Sequence, residues 1–123
     1  DSGYYQTTMV GGGYDHCFVI DRGRGASQSL CAWASSDKTG ISMKVYTTQP
    51  GVQLYTGNFL QDCPAPGKGG EPFRKYGGFA LETQHFPCSP SHPEFPSTAL
   101  RAGKVFRANT TLRFFTGKQC GKL

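Results

Sequence analysis

Glu82 lies between an apolar run, Phe79-Ala80-Leu81, and a loop stiffened by Pro87, Pro90, Pro93 and Pro96. A carboxylate at a strand end, beside a segment that cannot flex freely, can take or give a proton at a fixed point. Judged by position alone, the same residue reads as a solvated strand end, because acidic side chains are mostly exposed. Two further blocks carry related chemistry. Gly13-Tyr14-Asp15-His16 sets an acid and an imidazole just ahead of apolar Phe18-Val19-Ile20. The block from Thr47 to Leu60 is dense in side-chain hydrogen-bonders, Gln53 and Asn58 among them, with Tyr55 and Phe59 interspersed. Asp, Gln and Asn supply the directional hydrogen bonds that sugar hydroxyls require, and aromatic faces suit sugar CH groups. Each block alone also reads as an ordinary turn or strand end.

Other patterns carry less. His85-x-x-Cys88-x-x-x-His92, with Cys63 elsewhere, has the residue types of a zinc site. Pro87, Pro90 and Pro93 exclude a helix that would align those side chains, so no metal is expected. Gly67-Lys68-Gly69-Gly70 lacks the Ser or Thr that follows the lysine of a phosphate loop. Nothing local supports Cys88 with His85 as a nucleophile and its base.

The elements that must hold these groups read as strands. Leu30–Ala34 and Ile41–Tyr46 alternate in character and flank Ser35 to Gly40, which predicts a hairpin. Short strands are expected at Phe18–Ile20, at Val52–Tyr55 after the Pro50-Gly51 turn, at Val105–Ala108 and at Thr110–Phe115. Pro64 to Pro72 reads as a loop, and no stretch shows helical apolar spacing. With 17 glycines and 8 prolines in 123 residues, 37% hydrophobic and 13% aromatic, the composition is that of a turn-rich β protein. The expected class is all-β, an antiparallel β-sandwich. No apolar run approaches the roughly 20 residues of a membrane-crossing helix. The formal charge of +5 is scattered rather than clustered with aromatics, which argues against nucleic acid as a partner. Five cysteines and the sequon Asn109-Thr110-Thr111 favour a secretory compartment with possible glycosylation at Asn109; a cytoplasmic origin is the alternative.

Three motifs in order, Gly13 to His16, Thr47-Thr48-Gln-Pro-Gly-Val-Gln-Leu-Tyr-Thr-Gly-Asn-Phe-Leu60 and Leu81-Glu-Thr-Gln-His-Phe-Pro87, resemble the C-terminal part of the aldose 1-epimerase (galactose mutarotase) family. His92-Pro93-Glu94-Phe95-Pro96-Ser97 and Leu100-Arg101-Ala102-Gly103 continue the similarity, which runs from Gly13 to Phe114. The resemblance implies a mutarotase-like supersandwich of twice this length or more, with residues 13–116 its C-terminal portion. Residues 1–12 are expected to be a loop after a processing or fragment boundary, and 117–123 a tail.

By the same resemblance, the activity is interconversion of the α and β anomers of a free hexose, galactose or glucose, with no cofactor. Glu82 matches the general base, Asp15 a sugar-binding aspartate, and Gln53 a position lining the sugar site. The family's acid histidine lies upstream, so the chain is expected to need an N-terminal chain or fragment as partner. The alternative is a sugar-binding or structural subunit that kept the fold and lost turnover. Cys17 and Cys88 stand where the family usually has Asn and Asp; a Cys17–Cys88 disulfide and two reduced thiols are both open.

Overall fold

A computed structural model of the chain describes residues 12–22 and 27–116. Six strands follow in chain order: β1 Asp15–Val19, β2 Ser29–Ser35, β3 Ile41–Thr47, β4 Gly51–Tyr55, β5 Ala80–Gln84 and β6 Thr110–Thr116. Among the described residues the helical ones are confined to two single 3-10 turns, Leu60–Asp62 and Ser89–Ser91. The strands form two three-stranded sheets, ordered β1-β4-β5 and β2-β3-β6. The class is all-β and sandwich-like, as the sequence implies. The chain also divides into two compact units, one joining residues up to Phe18 with Gln53–Glu82, the other joining Val19–Val52 with residues from Thr83 onward.

In the second unit, β2 and β3 make the expected antiparallel hairpin. Gly40, at φ +69, closes its turn in a conformation that disfavours a side chain. Its N–H donates to the Ser36 carbonyl at 2.8 Å, and the Ser36 N–H donates to Ile41 at 2.9 Å. Cys31 is the extra residue where the register shifts between Leu30 and Ala32, and its thiol donates to the Val45 carbonyl at 3.3 Å. β3 pairs with β6 antiparallel without a break, from Ile41↔Thr116 to Thr47↔Thr110.

The period of two then sorts this sheet into two faces. Ala32, Ala34, Met43, Val45, Leu112 and Phe114 share one. Trp33, Lys44, Tyr46, Arg113 and Phe115 share the other, where Lys44 Nζ lies 5.8 Å from the Phe115 ring centre and the Arg113 guanidinium 5.4 Å from that of Tyr46. Ile20, Val45 and Val52 are the buried hydrophobic core among the described residues. Thr47 is fully buried; its hydroxyl donates to the Asn109 carbonyl at 3.2 Å and accepts from the Gln49 N–H at 3.0 Å.

In the first unit, a side-chain strap fixes the entry to β1. The Tyr14 N–H donates to Thr56 Oγ1 at 2.8 Å, and Asn58 Nδ2 donates to the Tyr14 carbonyl at 3.0 Å. Thr56 Oγ1 in turn donates to Asn58 Oδ1 at 2.7 Å. The strap passes so close that a Cβ on Gly13 would stand 1.8 Å from Asn58 Oδ1. Gly57, at φ +71, takes a similar load, since a Cβ there would stand 2.5 Å from the Gly78 carbonyl oxygen.

The structure departs from the sequence reading in three places. β1 begins at Asp15 rather than Phe18. Val105–Ala108 is not a strand: Val105 and Phe106 are exposed and the segment joins neither sheet. Glu82 is the central residue of β5, not its end. The expected loop over 1–12, Gly12 aside, and the expected tail over 117–123 lie outside the described residues.

Candidate active site

Asp15, Gln53 and Glu82 come from β1, β4 and β5, the three strands of one sheet, with β4 in the middle. All three also belong to the first unit. The direction of β1 against β4 follows from two hydrogen bonds: Thr56 N–H donates to the Tyr14 carbonyl at 3.1 Å, and Ile20 N–H donates to the Pro50 carbonyl at 3.0 Å. Pairing that runs 14 to 56 and 20 to 50 is antiparallel. It makes Gln53 a diagonal, same-face neighbour of Asp15, within reach of a long side chain. Gln53 Nε2 donates to Asp15 Oδ1 at 2.7 Å, a short bond to a carboxylate acceptor. Gln53 Oε1 is enclosed and has no partner among the described residues.

His16 belongs to the other side of β1. Its ring meets Tyr14 edge-on at 5.6 Å and Phe18 at 6.5 Å, a row that the alternation of β1 sets opposite Asp15 and Cys17. Its Nδ1 accepts the Asp15 N–H at 3.0 Å, which leaves the proton of the neutral ring on Nε2. His16 is thus a structural neighbour of Asp15 rather than a second group on its face.

Glu82 is exposed and makes no hydrogen bond or ion pair among the described residues. Its neighbour Thr83 shares a 2.6 Å hydroxyl contact with Thr110, so alternation along β5 turns the Glu82 carboxylate to the opposite face. A carboxylate with every lone pair free is chemically fit to accept a proton.

The remaining candidates are accounted for locally. Cys17, Cys31, Cys63 and Cys88 are free thiols in the structure. Cys17 sits within β1, whereas Cys88 heads the Ser89–Ser91 turn in a left-handed conformation, at φ 59, that serves the backbone. Cys120 lies outside the described residues. Burial pushes the thiols of Cys17 and Cys31 up, and at Cys31 a backbone hydrogen bond partly offsets it. His92 Nδ1 pairs with Glu94 Oε1 at 2.8 Å and its ring stacks on Phe95 at 4.8 Å. His85 packs against Phe106 at 6.3 Å, on a groove of about 420 Å³ in the second unit that holds none of the three site residues. The Thr56–Asn58 strap was not legible in the sequence as a positioning device. Its signal was the density of hydrogen-bonders in the Thr47–Leu60 block.

Comparison with known proteins agrees with the motifs. A family model described as aldose 1-epimerase matches residues 5–113. The galactose mutarotase of Rattus norvegicus is 42% identical over 102 residues, and the aldose 1-epimerase of Escherichia coli K12 is 39% identical over 105. Each match covers 83% of this chain and only 29% of the relative, so the chain spans less than a third of the proteins it resembles. The crystal structure of a GalM/aldose epimerase homologue from C. elegans superposes with a TM-score of 0.75 at 27% identity, covering 86% of this chain and 31% of that one. On fold, motifs and relatives alike, the chain belongs to the aldose 1-epimerase family.

Proposed function

We propose that the chain is the C-terminal portion of an aldose 1-epimerase acting on a free hexose such as galactose or glucose. The observation that carries this reading is the placement of Asp15, Gln53 and Glu82 on three neighbouring strands of one sheet, with Asp15 and Gln53 already bonded. Glu82 removes the proton from the anomeric hydroxyl, and the C1–O5 bond breaks as O5 takes a proton from an acid. Rotation about C1–C2 then presents the other face of the aldehyde. Closure runs the two proton transfers backward and gives the other anomer. Base and acid must act on different oxygens, so one carboxylate cannot do both. The acid is assigned to a histidine on an N-terminal portion that completes the fold, consistent with a chain that spans 29% of its relatives. Asp15 accepts from a sugar hydroxyl, and Gln53 holds the Asp15 carboxylate in place beside it.

Polarimetry of freshly dissolved α-galactose with the chain and its N-terminal portion together tests the assignment. Glu82→Gln keeps the shape and removes the base, and should slow the rate about a hundredfold or more. An unchanged rate would remove Glu82 from the reaction.

A second reading, a sugar-binding or structural subunit without turnover, draws on Cys17. It shares a face of β1 with Asp15 and is a neutral thiol where the family usually has an amide. Galactose binding with no catalysed mutarotation by the complete assembly would select it.

A further inference from the structure

The β2-β3-β6 sheet has one face that its own unit does not finish. Its rows run Ala34–Met43–Phe114 and Ala32–Val45–Leu112, with Ile41 opening the next. Val45 is fully buried, but Ile41 is 49% exposed, Leu112 52% and Phe114 65%. The two full rows are apolar and rise from two alanines on β2 to a leucine and a phenylalanine on β6, while Thr116 stands opposite Ile41. The reverse face is finished differently, with Lys44 and Arg113 laid over Phe115 and Tyr46. Cations lying along aromatic rings suit water; a bare Ile, Leu and Phe on adjacent strands suit a covering layer.

What covers it follows from length. Sheets bury an apolar face against another layer, and this chain supplies 29% of the length of its curated relatives. We infer that the open end of this face, at Ile41, Met43, Leu112 and Phe114, is the seat of an apolar sheet contributed by the N-terminal portion. The inference rests on the two-part reading above and adds to it the surface of assembly. The occupant is polypeptide with an apolar face, because Ile41, Met43, Leu112 and Phe114 carry no charge, hydroxyl or amide to offer a polar ligand.

The test co-expresses the tagged 123-residue chain with the part of rat galactose mutarotase that precedes its matched 102 residues, and measures co-purification and complex mass. The wild-type chain should recover that fragment in a one-to-one complex. Leu112→Glu with Phe114→Glu should cut recovery at least tenfold, and Ile41→Glu, at a strand start where folding is least at risk, should cut it severalfold. Lys44→Glu, on the reverse face, should leave it unchanged. Far-UV circular dichroism checks that each variant keeps its β structure. Full recovery by the folded double variant or by Ile41→Glu overturns the surface assignment and leaves the two-part reading standing. No recovery by the wild type overturns both. A wild-type homodimer that the double variant dissolves, in place of the mixed complex, overturns it in favour of a second copy.

Discussion

At the scale of the residue, Asp15 and Gln53 differ from Glu82 in how far their side chains are already engaged. Gln53 spends its amide donor on Asp15 at 2.7 Å, which fixes both side chains, while Glu82 is unengaged. A hydrogen bond to a charged group contributes about 1.5–3 kcal/mol. Gln53→Ala should therefore lower kcat/KM of the complete assembly roughly ten- to a hundredfold, chiefly through KM, as steady-state polarimetry would show. The thiols make a second prediction. Cys17 and Cys31 are raised above the ordinary 9.0 by burial, so the fold holds their protons more tightly than the unfolded chain does. That stability is whole below about pH 9 and is lost as pH climbs through the raised values. Urea midpoints measured from pH 7 to 10.5 should fall at the alkaline end, less so in Cys17→Ser with Cys31→Ser. Iodoacetamide at pH 8 should label exposed Cys63 and Cys88 first, as peptide mass spectrometry would show.

At the scale of the element, the hairpin, β4 and β6 were legible because local pattern and turn chemistry determine them. Alternation around Ser36 to Gly40 and the Pro50-Gly51 turn are enough. Val105–Ala108 misled because its apolar character serves something other than a ladder: Val105 is 73% exposed. Glu82 was misplaced for the opposite reason, since a strand that crosses a glutamate and ends near Pro87 looks, from composition, as though it stops at Leu81. The strap on Tyr14 was invisible because it links residues more than forty positions apart. Its test is Gly13→Ala, where the new methyl would collide with Asn58. Overpacking of that kind costs about 1–3 kcal/mol, visible as a lower urea midpoint. Val45→Ala should cost about 2 kcal/mol in the same assay, from a side chain with no exposure.

At the scale of the whole molecule, the family was readable because three motifs in order carry the resemblance. In the structure, three buried aliphatic residues form the hydrophobic core among the described residues, while a dozen large apolar side chains are exposed. Size-exclusion chromatography of the chain alone should show self-association or poor recovery rather than a stable 13.3 kDa monomer. Adding the N-terminal portion should restore a single species. A well-behaved monomer with a cooperative melt would argue that the chain is complete in itself.

The strap on Tyr14 also determines how a pH–rate curve of the assembled protein is to be interpreted. It is made of an amide, a hydroxyl and backbone groups, none of which gains or loses a proton in the working range. The strap itself is therefore silent to titration, and an inflection in the curve belongs to other groups. Asn58→Asp would end that silence. It replaces the donor facing the Tyr14 carbonyl with a carboxylate that can donate only when protonated, so the variant should acquire an acid-favoured activity that the parent lacks.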